Sequence, residues 1–156
     1  MAEGPTGCIW IDGDACPKAI RERVERQALR RGRSIVLVTN QSRPAQMPDR
    51  VQHVRVQDNP DAADDYIAER VQPGDVVITD DTPLAARVVA AGGWALTTRG
   101  KIMSEANAQD RLATRDLLSG LRDQGLPIGG PSPFSAADIQ RFAQALSQLL
   151  DRRPVL

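Results

Sequence analysis

The chain has 156 residues, 41% of them hydrophobic and 26% charged, which fits a single globular domain over 1–156 with its core at about 8–150 and excludes a mostly disordered chain. Its formal net charge is zero, so the total gives no reason to expect a polyanionic partner, and no apolar run approaches the ~18–20 residues of a membrane span. The zero is unevenly made: Arg supplies 18 of the 20 positive charges and Asp 15 of the 20 negative ones. Asp is a poor interior helix residue but a good cap and a good metal ligand, so its placement decides what the composition means.

The elements follow in chain order. Cys8 to Ile11 reads as a buried strand ending at Asp12. Pro17 suits the first turn of a helix running to about Arg31, with Ile20, Val24 and Ala28 as its core face and Gly32 as its stop. Ser34 to Val38 is a second strand, ending at Thr39-Asn40, and Val51 to Val56 is a third, alternating one. Asn59-Pro60-Asp61 opens a helix to about Val71 with Ala63, Ile67 and Val71 inside. Asp75 to Thr79 is a fourth strand, ending at Asp80-Asp81, and a helix capped by Thr82-Pro83 follows to Ala91. Trp94 to Thr97 is a fifth, short strand. A helix or helix pair is expected over Ser104 to Gln124, then an irregular Gly/Pro-rich stretch. Ser135 to Asp138 resembles a capping box and starts a last helix with Ile139, Phe142, Leu146 and Leu149 inward. Strands alternating with helices imply an α/β fold with a mainly parallel sheet of about five strands, and in such sheets ligands bind at the carboxyl ends of the strands.

Several counts close off other chemistry. The two cysteines, Cys8 and Cys16, make neither a disulfide framework nor a zinc cluster. Cys16 sits at a helix N-terminus, where the dipole is able to lower its pKa, but a packed thiol is the favoured reading. The single histidine, His53, lies in the alternating third strand and reads as a strand-surface residue. The five aromatics are too few for a base-stacking platform. Met1 to Gly7 has no secretory pattern, so the cytoplasm is the expected compartment.

The acids gather. Asp12 and Asp14 leave the first strand, Asp80 and Asp81 leave the fourth, and Asp61, Asp64 and Asp65 open the helix between strands three and four. Unpaired like charges at helical spacings of three and four cost about 0.2–0.5 kcal/mol each, which the helix dipole offsets only in part. Any one of these acids alone reads equally well as a helix cap. Asp12 and Asp64 do not sit at natural cap positions, and the group as a whole suits a hard divalent ion such as Mg²⁺ with oxygen ligands. Residues 18–33 carry seven basic and two acidic side chains, which reads as a solvated helix face or as a track for phosphates.

These segments resemble a known family. Ile9-Trp10-Ile11-Asp12-Gly13-Asp14-Ala15-Cys16-Pro17, Thr39-Asn40-Gln41-Ser42, Asp61-Ala62-Ala63-Asp64-Asp65-Tyr66-Ile67 and Val77-Ile78-Thr79-Asp80-Asp81-Thr82-Pro83-Leu84-Ala85 are similar to the bacterial YaiI/YqxD family of uncharacterised proteins. So are Arg99-Gly100, Leu112 to Asp116, Gly129-Gly130-Pro131 and Pro133-Phe134. The resemblance implies a three-layer PIN-like fold related to metal-dependent nucleases. By position it places Asp12, Asp64 and Asp81 as the catalytic, metal-holding acids, with Asp14 and Asp65 supporting a Mg²⁺ or Mn²⁺ ion. A fourth acid frequent in PIN enzymes falls at Leu84, so Asp14, Asp65 or Asp80 would have to substitute for it. Gly13, Asp80 and Thr97-Thr98 also depart from the YaiI/YqxD pattern.

The expected activity is therefore a metal-dependent phosphodiesterase acting on RNA or DNA, with Asn40, Gln41, Arg99 and Arg115 as substrate-binding residues. One alternative is a non-catalytic nucleic-acid-binding or regulatory module that keeps the acidic cleft. Another is a phosphatase of the haloacid dehalogenase type, suggested by Asp12-Gly13-Asp14 after a strand. That chemistry wants a lysine between the second and last motifs, and neither Lys18 nor Lys101 lies between residues 40 and 80.

Overall fold

The computed structural model describes residues 7–13, 16–45, 47–48, 50–59, 61–103 and 135–151. Its strands are β1 (Cys8–Asp12), β2 (Ser34–Thr39), β3 (Val51–Arg55), β4 (Val76–Ile78), β5 (Trp94–Leu96) and β6 (Ile102–Met103). Its helices are α1 (Lys18–Arg31), α2 (Ala62–Arg70), α3 (Thr82–Ala90) and α4 (Ala136–Leu150). The helix expected over Ser104 to Gln124 and the Gly/Pro-rich stretch lie outside the described residues. None of the described helices is long and apolar enough to cross a membrane.

The strands form one sheet in the order β3-β2-β1-β4-β5-β6. Every pairing is parallel except β5 with β6. Ile9 and Ile11 of β1, in register with Ile35 and Leu37 of β2, pack on one face against Ile20, Val24 and Ala28 of α1 and Phe142, Leu146 and Leu149 of α4. Trp10, in register with Val36 and Val77, packs on the other face against Ala63 and Ile67 of α2 and Leu84 and Val88 of α3. Side chains alternate across a strand. With helices on both sides, both sets are buried, which is why the strands read as unbroken apolar runs. The result is a three-layer α/β fold, as expected.

A sixth strand adds one to the expected count of about five. It is two residues long and carries no pattern of its own. A tight turn makes it: the Thr97 hydroxyl accepts from the Lys101 N–H at 3.0 Å, and the Gly100 N–H donates to the Thr97 carbonyl at 3.0 Å. Gly100 holds φ +89°, and a Cβ there would stand 2.5 Å from the Arg141 carbonyl carbon. Glycine is thus required twice over, by dihedral and by the close approach of α4.

The last helix begins as its sequence indicates. Ser135 accepts from the Asp138 N–H at 3.3 Å and donates its own N–H to Asp138 at 2.9 Å, which completes a capping box.

Candidate functional site

The chain runs from β1 outward through β2 to β3, then crosses back to β4 and outward to β5. The order reverses between β1 and β4, and the crevice beyond their carboxyl ends is the usual ligand position in such a sheet. Asp12 ends β1 there, and Thr79, Asp80 and Asp81 follow β4.

Thr79 joins the two ends. Its buried hydroxyl donates to Asp12 Oδ2 at 2.9 Å and accepts from the Asp81 N–H at 3.0 Å. Asp81 in turn caps α3: its Oδ1 accepts from the Leu84 N–H at 2.8 Å. The helix cap expected at Thr82-Pro83 is therefore Asp81, one residue earlier. One oxygen of Asp81 serves the helix, and a carboxylate has further acceptor capacity.

Asp64 comes from the third element, α2, where Ala63 and Ile67 turn into the core and Asp64 is half-buried beside them. Its carboxyl is pushed up to about 7. Burial is the largest cause, followed by the charges of Asp81 and Asp12, a side-chain hydrogen bond with Asp81, and the charge of Asp61. Asp12, Asp64 and Asp81, read from three separate segments, thus meet at the switch point. As placed, and among the described residues, no three carboxylate, thiol or imidazole groups stand in an arrangement ready to enclose an ion.

Two of the remaining acids, Asp65 and Asp80, are engaged elsewhere. Asp65 pairs with Arg87 of α3 at 2.8 Å, in solvent. Asp80 accepts from the Thr98 N–H at 2.8 Å and the Thr98 hydroxyl at 2.6 Å, which ties the end of β4 to the end of β5. Asp61 is exposed at the start of α2 and makes no side-chain cap bond. Asp14 and Arg115 lie outside the described residues. Leu84 is fully buried in the core below α3, so the position of the absent fourth acid serves packing.

Asn40 and Gln41 stand at the carboxyl end of β2, next to β1. Asn40 Nδ2 donates to Asp58 at 3.0 Å, and Gln41 Nε2 donates to Asn40 at 2.8 Å. Arg99 is held at the start of α4: its Nη1 donates to Asp138 at 3.0 Å, and Arg141 donates to the same carboxylate. The Ser135 N–H, above all, with Arg141 and Arg99 assisting, keeps that carboxyl below the usual range.

Cys16 is the packed thiol expected, set against the core of the sheet. Burial pushes its thiol up to about 12, against the opposing pull of Arg21 and with Asp80 and Asp12 adding to the rise. The helix terminus does not activate it. His53 stands half-buried on β3, two strands from Asp12, and burial, Arg43 and Arg55 lower its pKa. The sequence marks Thr79 only as a strand-end Thr two positions before an acid; its bonds to Asp12 and Asp81 give it the joining role.

The chain matches the family described as "Uncharacterized BCR, YaiI/YqxD family" over residues 10–152. It belongs to the YaiI/YqxD family. A UPF0178 protein of Geobacter sulfurreducens is 52% identical over 145 residues, covering 92% of this chain and 96% of that relative. One of Pseudomonas fluorescens strain SBW25 is 46% identical, covering 92% and 95%, and one of Vibrio atlanticus is 41% identical, covering 93% and 99%. No solved structure matches the chain. This YaiI/YqxD member therefore shares nearly its whole length with relatives whose names carry no activity.

Proposed function

We propose that this protein is a divalent-metal-dependent phosphodiesterase acting on RNA or DNA, with Asp12, Asp64 and Asp81 holding Mg²⁺ or Mn²⁺. The observation that carries the reading is the raised pKa of Asp64 beside Asp81 and Asp12. Three acids from three segments are brought together there, and half-buried Asp64 is held against the charges of the other two. A cation relieves that repulsion as a proton does. The donor set fits a hard ion, since every candidate ligand is a carboxylate oxygen.

When bound, such an ion lowers the pKa of a coordinated water and neutralises charge on phosphate oxygens. The chain's own residues do the positioning. Thr79 fixes one oxygen of Asp12, and the α3 cap fixes one oxygen of Asp81. Asp64, its pKa pushed up by burial and by its two acidic neighbours, would give up a proton as the cation binds. Asn40 and Gln41 present amides on the β2 side of the crevice, and Asp65, paired with Arg87, supports the outer edge of α2.

Titration calorimetry with Mn²⁺ tests the reading. The parent should bind with an enthalpy that Asp12→Asn and Asp81→Asn each abolish. Unchanged binding in both variants would end the proposal. The same variants control a nuclease assay, because a contaminating enzyme survives them.

One observation favours a second reading, a non-catalytic binding module: Leu84 is core rather than a fourth acid. Mn²⁺ binding without cleavage of any RNA or DNA by the pure protein would select it. A phosphatase using Asp12 as nucleophile gains no support, since both Lys18 and Lys101 are exposed and stand outside residues 40–80.

A further inference from the structure

The layer formed by α1 and α4 carries charge that the acidic crevice does not use. The two helices run in the same direction. Gln27 Nε2 donates to the Ala143 carbonyl at 2.9 Å, Ser147 Oγ donates to Gln27 Oε1 at 2.8 Å, and Arg31 pairs with Asp151 at 2.8 Å. Between them lies an open groove of about 200 Å³, lined by Arg23, Arg26 and Arg30 with Gln27, Gln144 and Ser147.

The three arginines recur at spacings of three and four, so they share one face of α1. Arg26 and Arg30 are exposed and Arg23 is half-buried. Other arginines of α1 have partners: Arg21 pairs with Glu25 at 3.4 Å and Arg31 with Asp151. Among the described residues, no carboxylate pairs with Arg23, Arg26 or Arg30. The α4 wall of the groove supplies amides and a hydroxyl and no acid. A row of like charges is unfavourable for an isolated helix, and an external anion would relieve it.

We propose that this groove is a track for the phosphate backbone of a double-stranded nucleic acid. Arginine's planar fork matches phosphate oxygens. At 1.5 Å per residue the row from Arg23 to Arg30 spans roughly 10 Å, long enough for successive phosphates, since each strand of a duplex places one for about every 3.4 Å of helix axis. No aromatic ring lines the groove, whereas grooves for single strands usually stack bases on such rings. The track points at the crevice, since α1 begins at the carboxyl end of the sheet about 8 Å before Arg23. In relating groove to crevice the inference rests on the proposed function; the binding itself needs neither metal nor Asp12.

Fluorescence anisotropy with a short labelled duplex, in EDTA and in an Asp12→Asn background, measures binding without cleavage. Replacing Arg23, Arg26 and Arg30 together by Gln should weaken binding at least about tenfold at low salt. It should also reduce the slope of log K against log salt by about 2.7, at roughly 0.9 for each phosphate no longer neutralised. Single Arg26→Gln and Arg30→Gln changes, at exposed positions, should each remove about 0.9 of that slope. The triple replacement by Lys should keep most of it. Equal affinity and slope in the Gln variants would overturn the proposal. Tighter binding of the matching single strand would do the same, as would an arginine dependence seen only with phosphatidylserine vesicles. If the groove binds duplex while Mn²⁺ calorimetry shows no Asp12-dependent site, the metal reading alone fails; the converse result removes the groove alone.

Discussion

The Thr79 hydroxyl donates to Asp12 Oδ2 at 2.9 Å while accepting from the Asp81 N–H at 3.0 Å. One buried hydroxyl thereby sets the spacing of the acids at the ends of two adjacent strands. Thr79→Val keeps the shape and removes both bonds. The half-buried Asp12 carboxylate and the Asp81 N–H each lose one hydrogen bond, which should cost about 1–3 kcal/mol in urea unfolding. Mn²⁺ affinity should fall in the same variant. A variant as stable as the parent would show that the bond contributes little to the geometry.

Asp64 ties stability to pH. Its folded pKa of about 7 lies above its ordinary 3.8, so between those values the folded state binds the extra proton. The stability this contributes is fully present below about pH 4 and is lost as pH rises through about 7. Asp64→Asn imitates the protonated form. In EDTA it should match the parent near pH 4.5 and exceed it near pH 8.5 by on the order of 1 kcal/mol, after discounting for solvent screening at a half-buried group. Urea unfolding at the two pH values checks the sign. A variant that loses more at high pH than at low pH contradicts the account.

Much of this arrangement was legible in the sequence, for physical reasons. The apolar strands and the stripes Ile20-Val24-Ala28 and Ala63-Ile67-Val71 have the periods that parallel sheets and their covering helices impose, and each of those six residues is buried. The strand ends pointed to Asp12 and Asp81, while the choice of Asp64 as their companion came from the family resemblance. What the sequence did not reveal is which acids are engaged. Asp65 is adjacent to Asp64 but turned by one helical step, and it meets Arg87 of another helix. Asp80 is adjacent to Asp81 but points to Thr98 in the turn after the β5 strand. Such partners depend on tertiary packing and leave no local pattern. The turn that makes β6 is missed for the same reason: it is held by Gly100 against α4.

The two thiols should be inert in the folded protein. Burial raises Cys16 to about 12 and Cys8 to about 11, with Asp75 adding to the rise at Cys8. Reaction needs the thiolate. Iodoacetamide near pH 8 should leave both cysteines unmodified in buffer and alkylate both in urea, as read by mass spectrometry. Rapid labelling of Cys16 in buffer would restore the helix-dipole argument.

Asp75 shows that the excess of Asp has more than one origin. It is 3% exposed and lies just before β4, at the amino end of the sheet and away from the crevice. Its carboxylate accepts from the Cys8 N–H at 2.8 Å, the Trp10 indole Nε1–H at 3.0 Å and the Gln72 N–H at 2.9 Å. Three donors converge on one buried carboxylate, and Arg33 interacts with its charge. Asp75→Ala strands all three donors and should cost about 3–5 kcal/mol. Asp75→Asn keeps one acceptor oxygen but turns an NH₂ toward the other donors, so its cost should fall between those of the parent and the alanine variant. Neither change should alter Mn²⁺ binding by whatever fraction remains folded. Thermal unfolding in parallel with calorimetry separates this structural acid from those at the strand ends. A loss of Mn²⁺ binding in folded Asp75→Asn would mean that the two ends of the sheet are coupled through β1.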